Sequence, residues 1–181
     1  MRKAQADMTL AAHGRGRLKT AVLRLPDFYG PDGEASLLHG TFAAALTGKR
    51  AMMIGPIDRP HEFVFTPDVG PVVTRLLATP AAFGRSWNLA GAGVTTQRDV
   101  AARVFAEVGR APKLLPIGRP GLRLFGLFDP VTKGLVEMHY LLTDPVLLDD
   151  RALTALIGPL AKTSYEDGIA RTLGALKSRI A

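Results

Sequence analysis

Residues 20–25, Thr-Ala-Val-Leu-Arg-Leu, form a short, mostly apolar run that Pro26 closes. A strand with one wet face alternates apolar and polar side chains. A strand covered on both faces, as parallel strands are, reads as a nearly continuous apolar run. This segment is of the second kind, and a chain containing it must place layers on both sides of a sheet. Further strand candidates are residues 50–54, 62–65 and 85–90, with 112–117 extended. Helical spacing fills the intervals, at residues 2–13, 35–46, 68–78, 96–108, 122–128, 131–142, 150–157 and 164–180. The third of these carries Val69, Val72, Val73, Leu76 and Leu77 as one apolar stripe. Gly14 and Gly48 are expected to cap helix ends, and Thr96 with Asp99 and Ser164 with Asp167 to open helices as capping pairs. Residues 29–33, Tyr-Gly-Pro-Asp-Gly, have turn chemistry. Strands alternating with helices predict an α/β fold.

The length of 181 residues suits a single domain with a real core, and 47% hydrophobic residues rule out a disordered chain. Absence of cysteine excludes disulfides, thiolate metal sites and a cysteine nucleophile, and fits a reducing compartment. No apolar run approaches the ~20 residues that span a bilayer, and the first residues lack the apolar stretch of a signal peptide. The expectation is a soluble cytoplasmic protein without membrane contact. The formal net charge is +7, with Arg2, Lys3, Arg15, Arg17, Lys19 and Arg24 in one group and Arg110, Lys113, Arg119 and Arg123 in another. Aromatics are not interleaved with these cations, so a solvated basic surface is expected rather than a nucleic-acid platform.

The familiar catalytic spacings are missing. His13, His39, His61 and His139 form no His-x-x-x-His pair, and Ser36, Ser86, Ser164 and Ser178 lie in no G-x-S-x-G elbow. Tyr29, Tyr140 and Tyr165 have Gly33, Asp144 and Ile169 four residues on, so no lysine stands one helical turn away to lower a tyrosine pKa. Residues 87–96 run strand, glycine turn, helix, but Thr96 stands where a dinucleotide loop needs its third glycine. A tight turn before a capped helix explains Gly91 and Gly93 better than a phosphate does. No catalytic residue and no metal ligand is therefore expected in this chain.

Three stretches in register carry a resemblance. Residues 23–31, Leu-Arg-Leu-Pro-Asp-Phe-Tyr-Gly-Pro, are similar to a strand and loop ending in N-x-Y-G-P. Residues 61–69, His-Glu-Phe-Val-Phe-Thr-Pro-Asp-Val, are similar to R-D-F-x-x-V-x-D-x, and residues 87–91, Trp-Asn-Leu-Ala-Gly, to Y-N-L-G-x. Together they resemble the C-terminal half of extended short-chain dehydrogenases/reductases, the NAD-dependent epimerase/dehydratase family, across essentially the whole chain. The resemblance implies the distal part of a doubly wound, Rossmann-like parallel sheet with a small substrate-binding lobe, as a single incomplete domain over residues 1–181. It implies NAD or NADP chemistry between an alcohol and a carbonyl. It places Pro26 and Asp27 beside the cofactor, and Asp27, Tyr29 and His61 around a small-molecule substrate.

Two departures bear on the substrate. Asp27 stands where the family often has asparagine, and His61 where it has arginine, both toward nucleotide-sugar phosphates. A carboxylate for an amide and an imidazole for a permanent cation argue against a UDP-sugar. The family's glycine-rich turn and Tyr/Lys pair have no counterpart here. The expectation is a substrate-binding half that is inactive alone, that does not hold NAD(P) by itself, and that associates as a homo-oligomer or with a missing N-terminal half. The alternative reading is a non-enzymatic binding protein derived from the same fold.

Overall fold

The apolar runs are strands, and each is paired in parallel. In a computed structural model of the protein, residues 2–16, 18–33, 36–125, 140–144 and 146–180 are described. Their order is α1 (Arg2–Gly14), β1 (Val22–Arg24), β2 (Asp27–Tyr29), α2 (His39–Thr47), β3 (Ala51–Ile54), β4 (Phe63–Phe65) and α3 (Thr66–Leu77). A 3-10 turn (Pro80–Ala82) follows, then β5 (Ser86–Asn88), α4 (Gln97–Glu107), β6 (Leu114–Ile117) and α5 (Arg119–Phe125). The last helices are α6 (Tyr140–Thr143), α7 (Arg151–Ile157) and α8 (Tyr165–Ile180).

The strands form two-stranded parallel ladders, β1 with β5, β2 with β4, and β3 with β6. The registers place Leu23 opposite Trp87, Asp27 opposite Phe63, and Ala51 opposite Leu114. Parallel partners need long crossovers, and α2, α3 and α4 lie within them. The α/β expectation holds.

Side-chain alternation divides the interior in two. Tyr29, Phe63 and Phe65 face a larger core with Phe42, Met53, Val104, Phe105, Tyr165 and Ile169. Val64 and Phe28, one step along the same strands, face a second core with Val72, Leu76, Trp87, Leu89 and Leu153. The β2–β4 ladder is thus the wall between the cores, and β4 is covered on both faces, which is why Phe63, Val64 and Phe65 are all apolar.

Several boundaries differ from the sequence reading. Gly14 does not cap α1; Gly16, at φ +69°, takes the left-handed position, because the chain makes one further turn. The helix expected over residues 35–46 begins at His39, because the turn chemistry continues through Ser36 and Leu38. The helices expected over 122–128 and 131–142 are seen as Arg119–Phe125 and Tyr140–Thr143, and residues 126–139 lie outside those described. Both capping pairs form: Thr96 Oγ1 accepts from the Asp99 amide at 3.0 Å, and Ser164 Oγ from that of Asp167 at 3.1 Å.

Gly91 holds β4 and the turn after β5 together. A Cβ there would lie 2.5 Å from the Phe63 carbonyl oxygen, which is backbone and cannot swing aside. Gly91→Ala is expected to destabilise the fold by roughly 2–4 kcal/mol, in the range of an overpacked buried site. Gly174 in α8 has nothing within 4 Å of its Cβ position, so Gly174→Ala should stabilise by about 0.5–1 kcal/mol. Chemical denaturation of the two variants measures both signs.

Candidate functional site

In open parallel sheets, ligands sit beyond the carboxyl ends of the strands. Pro26 and Asp27 are the residues that leave that end of β1, and the Gly91–Gly93 turn follows that end of β5. Asp27 then enters β2 opposite Phe63, which brings it alongside His61, two residues before Phe63 on the same face. The His61 Nε2–H donates to Asp27 Oδ2 at 2.8 Å. The imidazole is largely covered, at 15% exposure, while the carboxylate is 44% exposed. The ring also rests against Phe63, with centroids 4.6 Å apart. Its backbone is fixed from the other side, where His61 and Thr95 exchange N–H to carbonyl bonds of 2.8 Å in an antiparallel bridge.

Tyr29 shares this face of β2 but lies deeper. It is 1% exposed, stacked on Phe42 and Tyr165 and tilted against Phe65. Its hydroxyl has no hydrogen-bond partner and abuts Gly168 of α8. The sequence-predicted residues are therefore brought onto one strip of β2–β4, with Asp27 and His61 at the rim and Tyr29 in the packed floor. Pro26 is half-buried at the junction of β1 and β2. A cavity of about 350 Å³ lies elsewhere, lined by Gly48, Phe105, Arg110, Ala111 and Lys113.

Sequence reasoning missed two residues that hold the rim in place. Glu62, buried at 4%, accepts from the Gly91 amide at 2.9 Å and the Leu148 amide at 2.5 Å. One carboxylate thus ties the turn after β5 to a segment far along the chain. Tyr165 accepts from the Phe63 amide at 3.1 Å and donates to the Gly93 carbonyl at 2.8 Å, bridging the same two backbones from α8. Asp150 works alongside them: it accepts from the Ala90 amide at 3.2 Å and pairs with Lys162 at 2.7 Å instead of capping α7. Nothing in the sequence marked Glu62, which sits just before β4 between His61 and Phe63. Among the described residues no group of three or more His, Asp and Glu side chains could hold a metal ion, and no helix is long and apolar enough to cross a membrane.

No family model and no curated protein matches the sequence. Solved structures do. An epimerase from Methanothermobacter thermautotrophicus superposes with a TM-score of 0.76 over 97% of this chain and 48% of its own, at 12% identity. UDP-glucuronic acid 4-epimerase from Bacillus cereus, in complex with UDP-glucuronic acid and NAD, gives 0.74, covering 96% of this chain and 50% of that one at 14% identity. The dTDP-glucose 4,6-dehydratase from Bacillus anthracis, in complex with NAD, gives 0.71, 95% and 49%, at 15% identity. This chain has the fold of one half of such an enzyme. It spans about half the length of the structures it matches, consistent with the C-terminal half that the sequence motifs resemble. In this half-fold, the Asp27–His61 pair lies past the carboxyl end of β1 and at the amino end of the β2–β4 ladder.

The two packed tyrosines differ in a measurable way. Burial raises the pKa of both phenols above the ordinary tyrosine value, with nearby Tyr165 and Asp68 adding for Tyr29 and the Phe63 amide opposing for Tyr165. The fold therefore favours the neutral phenols. Below pH about 10 folded and unfolded chains both keep them neutral; above it the unfolded chain ionises first, so stability falls as pH rises. Tyr29→Phe removes an unpartnered hydroxyl and should be neutral or stabilising by up to about 1 kcal/mol, with a shallower alkaline loss. Tyr165→Phe strands the Phe63 amide and should cost about 1–3 kcal/mol. Urea melts at neutral and alkaline pH separate the cases.

Proposed function

We propose that this chain is the substrate-binding half of an NAD(P)-dependent epimerase, dehydratase or reductase-like protein that acts on an alcohol/carbonyl substrate other than a UDP-sugar. The observation that carries the reading is the Asp27–His61 bond at the rim of β2–β4. Asp27 would hold the imidazole by Nε2 and fix the orientation of its ring. Its own carboxylate is the more exposed partner and offers an acceptor to a substrate hydroxyl. Pro26 and Asp27 would form one wall of the nicotinamide site, and the Tyr29 floor would exclude water from beneath it. A carboxylate bonded to the imidazole offsets whatever positive charge the ring carries, so the pair presents no net cation to a diphosphate.

The turn after β5 does not fit a dinucleotide pyrophosphate. The Gly91 amide is already bonded to Glu62, the Thr95 amide to the His61 carbonyl, and the Asp99 amide to Thr96 Oγ1. A phosphate cradle needs such amides free. On this reading the cofactor's phosphates are held by residues other than those of this turn, and the chain alone binds neither NAD nor NADP.

Calorimetric titration and NMR test the two parts. NAD, NADP and uridine diphosphate should give no heat of binding to the 181-residue chain at micromolar concentrations, whereas millimolar neutral hydroxy-carbonyl compounds should shift the His61 ring resonances. The double variant D27N/H61R, which restores an amide and a permanent cation, should gain at least tenfold in uridine diphosphate affinity, about 1.4 kcal/mol. Micromolar binding of uridine diphosphate by the unaltered chain would overturn the substrate reading.

A further inference from the structure

Two helices end side by side at a place remote in sequence from the rim. Gly48 ends α2 and Gly109 follows α4, both left-handed at φ +71° and +67°. From these glycines the chain enters β3 and β6, which are parallel neighbours, and the Ala51 amide donates to the Lys113 carbonyl at 2.8 Å. The two turns therefore flank one cleft, the cavity of about 350 Å³ lined by Gly48, Phe105, Arg110, Ala111 and Lys113. That volume lies within the range of small-molecule sites. Phe105, 1% exposed, gives it an apolar wall that is part of the larger core. Arg110 is held over the end of α2: its Nη1 donates to the Ala45 and Leu46 carbonyls at 2.6 and 2.7 Å, and Lys113 Nζ donates to the Gly48 carbonyl at 3.3 Å. Cations at a helix carboxyl end stabilise it. This use occupies one edge of the guanidinium only. Nε and Nη2, the other edge, have no partner among the described residues. Neither Arg110 nor Lys113 joins an ion pair there, and no acidic side chain lines the cavity. A Cβ on Gly48 would stand 3.2 Å from Nη1, so a side chain at that position would crowd the guanidinium.

We propose that this cavity binds a small organic monocarboxylate with an apolar body. Nε and Nη2 of one guanidinium form a planar fork that takes both oxygens of a carboxylate. Fixing Nη1 on α2 orients that fork before a ligand arrives, which lowers the ordering cost of binding. Lys113 supplies a second cation, and Phe105 and Ala111 receive the apolar body. One fork and one ammonium match a single charge spread over two oxygens. A phosphate group carries three strong acceptor oxygens and close to two charges, more than these donors satisfy. The walls come from α2, α4 and the turns into β3 and β6, packed on the larger core, whereas β1 packs on the other. The inference is independent of the proposed function, because none of the five lining residues belongs to the Asp27–His61 rim.

Benzoate is the probe. Titrated into the 181-residue chain, it should shift the Arg110 Nε–H and Phe105 ring resonances saturably, with half-saturation at about 1 mM. Acetate, which lacks the ring, and inorganic phosphate should each bind at least about tenfold more weakly. Arg110→Lys keeps the charge and removes the fork, and should weaken benzoate binding about tenfold; Lys113→Met, which leaves the fork in place, should weaken it about threefold. Equal affinity for the three anions, shifts spread over Lys49 and Arg50 without Phe105, or no saturation by about 10 mM overturns the proposal. Should Arg110→Lys fail to fold, Lys113→Met and the resonances of the unaltered chain still decide.

Discussion

The structure rests on a strand pair packed between two cores. β2 and β4 carry Tyr29, Phe63 and Phe65 toward one core, and Phe28 and Val64 toward the other. A slip of one residue would exchange the two sets, placing Phe63 and Phe65 where Val64 fits and stranding the smaller side chain in the larger core. The register is therefore held from both sides at once. Asp27 meets His61 because that register pairs Asp27 with Phe63. The position of the polar rim is thus a consequence of packing several residues further into the molecule.

The same condition explains what could be read in the sequence. Most strands announce themselves as apolar runs, and residues 20–25, 50–54, 62–65 and 85–90 each contain an observed strand, but β2, Asp27–Tyr29, was not expected, because Pro26 closes the run before it and Tyr29 reads as the start of a turn. Capping pairs were legible because their partners lie three residues apart, within a single turn. Boundaries were less so: where α2 begins depends on a turn that consumes Ser36 to Leu38, and local propensity does not count such residues.

The site was half legible for a related reason. The motifs pointed to Asp27, Tyr29 and His61; the structure bonds His61 to Asp27, while Tyr29, two residues along β2, is packed in the core. Which of them stands at the rim is set by α8, whose Gly168 lets the Tyr29 ring close against it. That contact joins positions 139 residues apart by their numbers, 168 less 29, and no periodicity reports it. Glu62 was illegible for the opposite reason. A carboxylate between His61 and Phe63 reads as a solvent-facing residue, and only the structure shows the amides of Gly91 and Leu148 turned toward it.

Those amides also fix how the glycine turn is to be understood. Gly91 lies after a strand and before a capped helix, where a phosphate would find free N–H groups and a favourable dipole. Here an internal carboxylate has taken the amide a ligand would use, and a close backbone contact has taken the space. A buried Glu62 carboxyl that accepts from the Gly91 and Leu148 amides has hydrogen-bond partners without any cation. The turn therefore serves the scaffold, tying the end of β5 to the start of β4. Arg15, Lys19 and Arg85 lie toward the amino ends of β1 and β5, whereas Asp27 and His61 lie beyond the carboxyl end of β1. Arg24 closes β1 at that carboxyl end and Arg59 stands two residues before His61, so basic residues are found at both ends of the ladder.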